Sequence, residues 1–544
     1  MKKNRLKWIL KRTKGAYKYL IFLAVSSVLI SVSNVLFAIV LKEFVDNAIN
    51  GSIERIFQLI IASAVIVILE GISYVLTSYS MKNIQAKTEY NFRNEMISAV
   101  IHADYAGIEK YNSGEILNMF TNDINSVSTL IPEIAYNIVG QALQAVTASV
   151  ALFCISWKMG LILFISVPVL IILVNSISPY VQKANAELKE NEDKIISFIQ
   201  ERTRRIPLIK AYRYYEKPVA KLSDMQNSKS KNYIKLGILE GLVYFSNGMM
   251  SVIIFLICIG VGSYFAIKGA YSVGALITMV QLLNFIIGPL NSISPALNNI
   301  SNSYASAERI DKIINLEQET DAEPKNKRIK IKEINIERLS FSYGSTNVFT
   351  DFSCSIPANK IIGITGKSGR GKTTLLKLLL GFYMPDSGDI SAVTEDNQIL
   401  AIKDVRSVIS YVPNNDILFS DTITENIVMN EEANSIRLNN VCRQANILDF
   451  IEALPDKFDT VISEYGGNLS SGQAQRIGIA RAIYNEGTQI ILLDEPTSNL
   501  DAESVNALKR ELKNLSKEKT CIVVSHDDSL MDIFDMILDL DAAG

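Results

Sequence analysis

The sequence predicts two folds in one chain: an all-α membrane body of six helices, followed by an α/β domain. Three observations point there. Six apolar runs, near 17–40, 56–78, 134–156, 160–177, 237–267 and 273–297, fill the first 300 positions. About 20 apolar residues are what an α-helix needs to cross hydrocarbon. From residue 333 onward, apolar strand-like runs alternate with helical patterns, the rhythm of a parallel sheet covered by helices. Between a strand-like stretch (360–365) and a helix-like one (374–381) stands a glycine-rich octet at 366–373.

The membrane body comes first. The chain is 48% apolar with a mean hydropathy of +0.20, high for a soluble protein. Its 544 residues are too many for one domain. The division expected is a basic interfacial helix at 1–16, a membrane domain at 17–312, a charged linker at 313–332 and the α/β domain at 333–544. The basic start carries Trp8 and runs into a retained span without a clear cleavage site, so it reads as an interfacial helix and not as a signal peptide. No peptidase-like region stands before the first span, so leader-peptide cleavage is not expected of this chain.

The links between spans are unequal. Those after spans 1, 3 and 5 are short. Those after spans 2 and 4 are long, and the second holds Lys183, Lys189, Lys194, Arg202, Arg204, Arg205, Lys210 and Arg213 among others. The positive-inside rule puts the N-terminus and both long links in the cytoplasm. The composition of 81–108 and 181–203 predicts polar helices that extend the spans. Each is followed by a break, at Gly107 with Asn112-Ser113-Gly114 and at Pro207. Either short cross-helices touch a domain below, or these are solvated hairpins.

Charge excludes one class of partner. The net charge is −2 and no basic stripe is interleaved with aromatics, so nucleic acid is not expected. The five cysteines are scattered without a C-x-x-C pair. They read as buried thiols in a reducing compartment.

The octet Gly366-Lys367-Ser368-Gly369-Arg370-Gly371-Lys372-Thr373 is a complete phosphate loop. Its glycines let backbone N–H groups turn toward phosphate oxygens, and the following helix adds its positive end. Lys372 would reach the β- and γ-phosphates of ATP, Thr373 would offer its hydroxyl to Mg²⁺, and Thr374 follows. Further on, the apolar run 490–493 ends in Asp494-Glu495. A buried strand ending in two acids fits a Mg²⁺ contact at Asp494 and a general base at Glu495.

The sequence Leu469-Ser470-Ser471-Gly472-Gln473 resembles the LSGGQ signature of ATP-binding cassette proteins, with Ser471 in place of glycine. Ser498-Asn499-Leu500-Asp501 is similar to the family's D-loop, and His526 to its switch histidine. Tyr343 is similar to the aromatic that stacks on adenine, and Glu464 to the acid before the signature. In the first half, 113–116 with Asn122-Asp123, 209–212 and 305–310 resemble the exporter type, so the resemblance spans nearly the whole chain. It implies a six-span half-transporter, an ATP hydrolase with catalytic Glu495, His526 and Lys372. The ATP cofactor would lie between two copies, with Mg²⁺ held by Thr373, Asp494 and Asn414. Asn414 stands where the family carries glutamine and is one methylene shorter.

The resemblance also implies ATP-driven export of a small molecule, drug, peptide or lipid-like cargo by a dimer. A homodimer is favoured because every catalytic element is present, and a heterodimer stays open. An ATP-gated channel, a sensor, or import on the same frame are the alternatives. Location would be the cell membrane, with lipids as neighbours and the ATPase domain in the cytoplasm. Glu70 falls inside span 2, where a charge must face protein or water. It is either a cargo-cavity wall or one end of an interhelical hydrogen bond.

Overall fold

The structure, a computed structural model, describes residues 2–319, 329–414, 418–429, 431–463, 469–498, 502–526 and 528–541. Inside the helices, the side chains of 2–4, 162–164, 166–175, 178, 247, 250, 290–295, 297 and 298 lie outside that set. The chain divides into two compact units. Unit 1 comprises 1–101 and 111–316, and unit 2 comprises 102–110 and 317–544.

Unit 1 is all helix. Its elements are α1 (Lys2–Arg12), α2 (Tyr17–Ile49) and α3 (Ile53–His102), and after the short α4 (Tyr105–Ile108) of unit 2 come α5 (Ser113–Asn118), α6 (Ile124–Glu133) and α7 (Gln141–Ile155). Then follow α8 (Trp157–Arg204), α9 (Ile206–Ala211), α10 (Glu216–Ile267) and α11 (Val273–Ile314). The helices run far past the apolar spans. The 50 residues of α3 make a rod of about 75 Å at 1.5 Å per residue, more than twice the hydrocarbon thickness. The polar composition of 81–108 is the reason: it keeps helical propensity while changing solvent. Among the described residues, Tyr17–Ile49, Ile53–His102, Ser113–Ile155 and Glu216–Ile267 are long and apolar enough to cross a membrane, and Val273–Pro289 is a shorter apolar stretch. The expected span 160–177 lies within α8, with most of its side chains outside the described set.

Helix 113–155 is not uniform. Met119–Asp123 and Ile134–Gly140 are wound as π-helix. At the end of the second, Gly140 approaches Ser27 so closely that an added Cβ would sit 3.0 Å from its hydroxyl oxygen. Hydroxyls tie α2 to its neighbours: Thr77 donates to Ser26 at 2.8 Å and Thr278 to the Ala38 carbonyl at 2.9 Å. Such bonds hold helices together where hydrocarbon gives no hydrophobic drive between them. The basic α1 packs into unit 1: Ile9 is buried, and Arg12 lies 3.9 Å over the Trp8 ring and 2.5 Å from Glu95 on α3. On the cytoplasmic extensions, Asp123 is buried against Arg309, whose Nε donates to its carboxylate at 2.7 Å, and Ser306 donates at 2.9 Å.

Unit 2 is α/β. An antiparallel sheet runs in the order β2 (Thr346–Pro357), β1 (Ile331–Tyr343), β4 (Ser387–Thr394), β5 (Ile399–Ala401). A parallel sheet runs β6 (Ile409–Val412), β7 (Ile490–Asp494), β8 (Thr520–Val524), β3 (Ile361–Thr365), β9 (Met536–Asp539). β7 and β8 are buried throughout, as parallel strands covered on both faces must be. The register pairs Ile361–Ile364 with Cys521–Val524 and Ile490–Asp494 with Thr520–Val524. The carboxyl ends of β3, β7 and β8 therefore lie side by side. Ligands of such sheets bind at that edge.

The five cysteines are free. Cys258, Cys442 and Cys521 are buried, as expected, but Cys354 is only partly buried and Cys154 is exposed. Cys154 sits on α7 inside an apolar run, where an outward sulfur meets lipid and costs little. Burial pushes the Cys442 and Cys521 thiols up to about 12, so neither is reactive.

Candidate functional site

The phosphate loop connects β3 to α12 (Lys372–Leu379). Gly366, Gly369 and Gly371 have φ of 137°, 83° and 88°, a region that side chains rarely adopt. At Gly371 a Cβ would also meet Val348 Cγ1 at 2.4 Å, so only glycine fits. Lys372 is buried, and its Nζ donates to the carbonyls of Gly366 at 2.8 Å and Lys367 at 3.0 Å. Burial lowers its pKa, while Glu495, Asp541 and Asp494 pull it back up.

Sequence reasoning missed Asp541. It accepts from Lys367 N at 2.9 Å and from Arg370 Nε at 3.0 Å, fixing the loop's outer arm from beyond β9. Ser368, Gly369 and Thr374 lie in the same loop-and-helix turn.

Thr373 Oγ1 donates to Asp494 Oδ2 at 3.2 Å. These two oxygens fit Mg²⁺, which is commonly held by one or two protein oxygens together with substrate phosphates. No cluster of three His, Cys, Asp or Glu side chains able to hold a metal on its own occurs among the described residues. Burial pushes the Asp494 carboxyl up, against the hydrogen bonds from Thr373 and Tyr411. A cation at Asp494 would remove that penalty.

Glu495 has a left-handed φ of 51°, the backbone cost often found at functional positions. Its conformation is pinned by its own N–H to the Val524 carbonyl at 3.0 Å and by Ser498 N–H to its carbonyl at 3.1 Å. Its side chain is held from two sides. His526 Nε2 lies 3.2 Å from Oε1, and Asn414 Nδ2 donates to Oε2 at 3.2 Å. Ser498 Oγ in turn donates to Asn414 Oδ1 at 2.9 Å. Asn414, read from sequence as a metal contact, is thus placed between Glu495 and Ser498. Asp501 of the D-loop, with Asn499 and Leu500, and Glu464 lie outside the described residues.

The signature opens α13 (Ser471–Tyr484). Ser470 is its N-cap: its hydroxyl accepts from Gln473 N at 3.2 Å and Gln473 Oε1 accepts from Ser470 N at 2.8 Å. Leu469 packs against the core under this turn, while Ser470 and Ser471 are exposed and Gly472 is half-buried. The result is an outward helix N-terminus, which favours an anion.

Tyr343 is 40% exposed, with Phe341 and Tyr383 edge-on at 5.0 and 5.4 Å. Tyr383 links it to α4, whose Tyr105 stacks flat on Phe382 at 4.5 Å and meets Tyr383 at 5.8 Å. Glu109, just past α4, pairs with Lys377 of α12 at 2.7 Å. Segment 102–110 thus packs with the ATPase unit, although its sequence continues α3. Burial opposes the Lys377 charge, but the Glu109 and Tyr105 contacts outweigh it and raise the pKa.

In unit 1, Glu70 is half-buried, with Tyr74 one turn on. Among the amides within the apolar runs, Asn34 is buried and Gln141 donates to Asn137 at 3.3 Å.

A phosphate-loop ATPase unit fused to a bundle of membrane-length helices is what these elements define. The family model described as the ABC transporter transmembrane region matches residues 20–290, and the one described as ABC transporter matches 349–498. Together they take in most of the chain, which belongs to the ABC transporter family as a fused half-transporter. It is 29% identical to an export ATP-binding/permease protein of Rickettsia felis, over 98% of this chain and 94% of that one. It is 24% identical to an ATP-dependent lipid A-core flippase of Aliivibrio fischeri, over 87% and 82%. The fold matches a bacterial Atm1-family ABC exporter with ATP bound, with a TM-score of 0.80, 19% identity and coverage of 98% and 94%. The chain is a multi-pass membrane protein that binds and hydrolyses ATP on the cytoplasmic side and drives export.

Proposed function

We propose that two copies of this chain form a homodimeric export pump in which each bound MgATP is shared between subunits. The observation that carries this is the joint placement of Lys372, Thr373, Asp494, Glu495 and His526 at neighbouring strand ends, together with the exposed N-terminus of α13. Lys372 and the loop N–H groups bind the β- and γ-phosphates. Tyr343 offers a face for the adenine. Thr373 and Asp494 would hold Mg²⁺, which when bound would supply positive charge against the phosphates. Glu495 orients and deprotonates water, and His526 holds Glu495 and faces the γ-phosphate.

Ser470, Ser471 and Gly472 of one copy cap the phosphate bound by the other. A shared anion favours the closed pair, and its cleavage removes that preference. Segment 102–110, packed on unit 2 through Tyr105 and Glu109, carries the change to α3. The sequence similarity to a flippase and to export permeases supports an amphipathic or lipid-like cargo, received by a partly polar cavity that includes Glu70.

The test is cargo-stimulated ATP hydrolysis in lipid nanodiscs with Glu70→Gln beside wild type. Basal turnover retained with altered stimulation by amphipathic cations supports the cavity. Identical stimulation for every compound tried removes it.

A further inference from the structure

Helices α8 and α10 enclose a cleft of about 440 Å³ in unit 1. Its floor is apolar, from Ala184, Ile234, Ile238 and Leu239, and its rim carries Lys183, Lys231 and Lys235. Three carboxylates further along α8 are engaged. Glu187 pairs with Lys235 at 3.2 Å, Glu190 with Lys194 at 2.7 Å and Glu192 with Lys229 at 2.9 Å. Lys183 and Lys231 form no ion pair among the described residues, so the rim carries uncompensated positive charge.

Depth decides what this charge meets. The apolar run of α8 ends near 177 and that of α10 begins near 237. At 1.5 Å per residue, Lys235 stands about 3 Å outside the hydrocarbon, and Lys183 and Lys231 about 9 Å. The headgroup layer is roughly 5–8 Å deep on each side, within reach of a flexible lysine. Both long links are cytoplasmic, so this is the inner leaflet.

We propose that the α8–α10 cleft is a binding site for an anionic phospholipid of the inner leaflet. Lys183 and Lys231 hold the headgroup phosphate, and an acyl chain lies along Ile234, Ile238 and Leu239. Two uncompensated ammonium groups above an apolar floor match a ligand that is anionic at one end and apolar at the other. A soluble phosphate would leave the floor unused, and a second copy would have to bring buried carboxylates to the rim.

Purified protein in nanodiscs tests this without reference to turnover. In phosphatidylcholine alone, Lys183 and Lys231 should react with a water-soluble acylating reagent. Adding phosphatidylglycerol should slow both at least about fivefold, while exposed Lys217 is unchanged. Glycerol phosphate added in solution should protect neither. The double variant Lys183→Gln/Lys231→Gln should retain less phosphatidylglycerol by native mass spectrometry. Equal labelling in both lipids, or protection by glycerol phosphate alone, overturns the site. Protection already present in phosphatidylcholine overturns it in favour of a second copy covering the cleft.

Discussion

Asn414 donates its side-chain amide to Glu495 Oε2 at 3.2 Å while accepting from Ser498 Oγ at 2.9 Å. One short amide thereby links the residue proposed as general base to the loop that follows it. The extra methylene of a glutamine would carry the amide past this position. Asn414→Ala should lower kcat by about tenfold or more, because correct placement of a general base contributes 10²–10⁴-fold. KM for ATP should change less than about twofold, since Asn414 touches Glu495 and not the phosphate loop. Steady-state ATPase kinetics check this, and a pure KM effect would contradict it.

The Asp123–Arg309 pair makes a stability prediction. Asp123 is buried, with a side-chain exposure of 4%. Arg309→Met leaves the buried carboxylate with only the Ser306 hydroxyl, at a cost of about 1–3 kcal/mol because Arg309 is itself half-exposed. Adding Asp123→Asn should recover most of that loss. Thermal unfolding in detergent should rank wild type and the double variant together, well above Arg309→Met.

Glu511 on α14 (Ala502–Leu515) gives a pH dependence. It is buried with Oε1 lacking a hydrogen-bond partner, and burial pushes its carboxyl from 4.5 to about 7, against Arg476 and Arg510. A pKa raised on folding means the folded chain binds the proton more tightly. The stabilisation is therefore complete below pH 4.5 and is lost as pH rises through about 7. Its size is on the order of 3 kcal/mol. Glu511→Gln should flatten this part of the profile and raise the midpoint at pH 8, read as unfolding temperature against pH.

Much of this was legible before any coordinates. The long apolar helices and the phosphate loop are local signals, set by hydrophobic run length and by glycine at fixed spacing. What escaped was contact over distance. Asp541 reaches Lys367 and Arg370 from the far edge of the sheet, and no local pattern marks an acid near a chain's end as a loop clamp. The break expected at Gly107 and the 112–114 stretch falls around α4, but that α4 packs with unit 2 depends on Tyr105 finding Phe382. The hydrogen bonds of Asn414 to Glu495 and Ser498 follow from where β6, β7 and β8 end. The π-helical turns at Met119–Asp123 and Ile134–Gly140 carry no composition that distinguishes them from α-helix.

Tyr105 provides a test of coupling. Tyr105→Ala removes the flat stack on Phe382 at 4.5 Å, a contact of about 0.5–1.5 kcal/mol beyond its area. Basal hydrolysis should persist while its stimulation by amphipathic compounds falls. Loss of both together would place Tyr105 in the hydrolytic machinery instead.

The central claim is that ATP is shared by two copies and cleaved through Glu495. ATP turnover in nanodiscs containing one chain or two, with Glu495→Gln beside wild type, addresses it directly. Wild-type pairs should hydrolyse ATP, single chains should not, and Glu495→Gln pairs should fall at least about 100-fold while remaining closed on ATP. Equal turnover by single chains, or by the variant, would contradict the account.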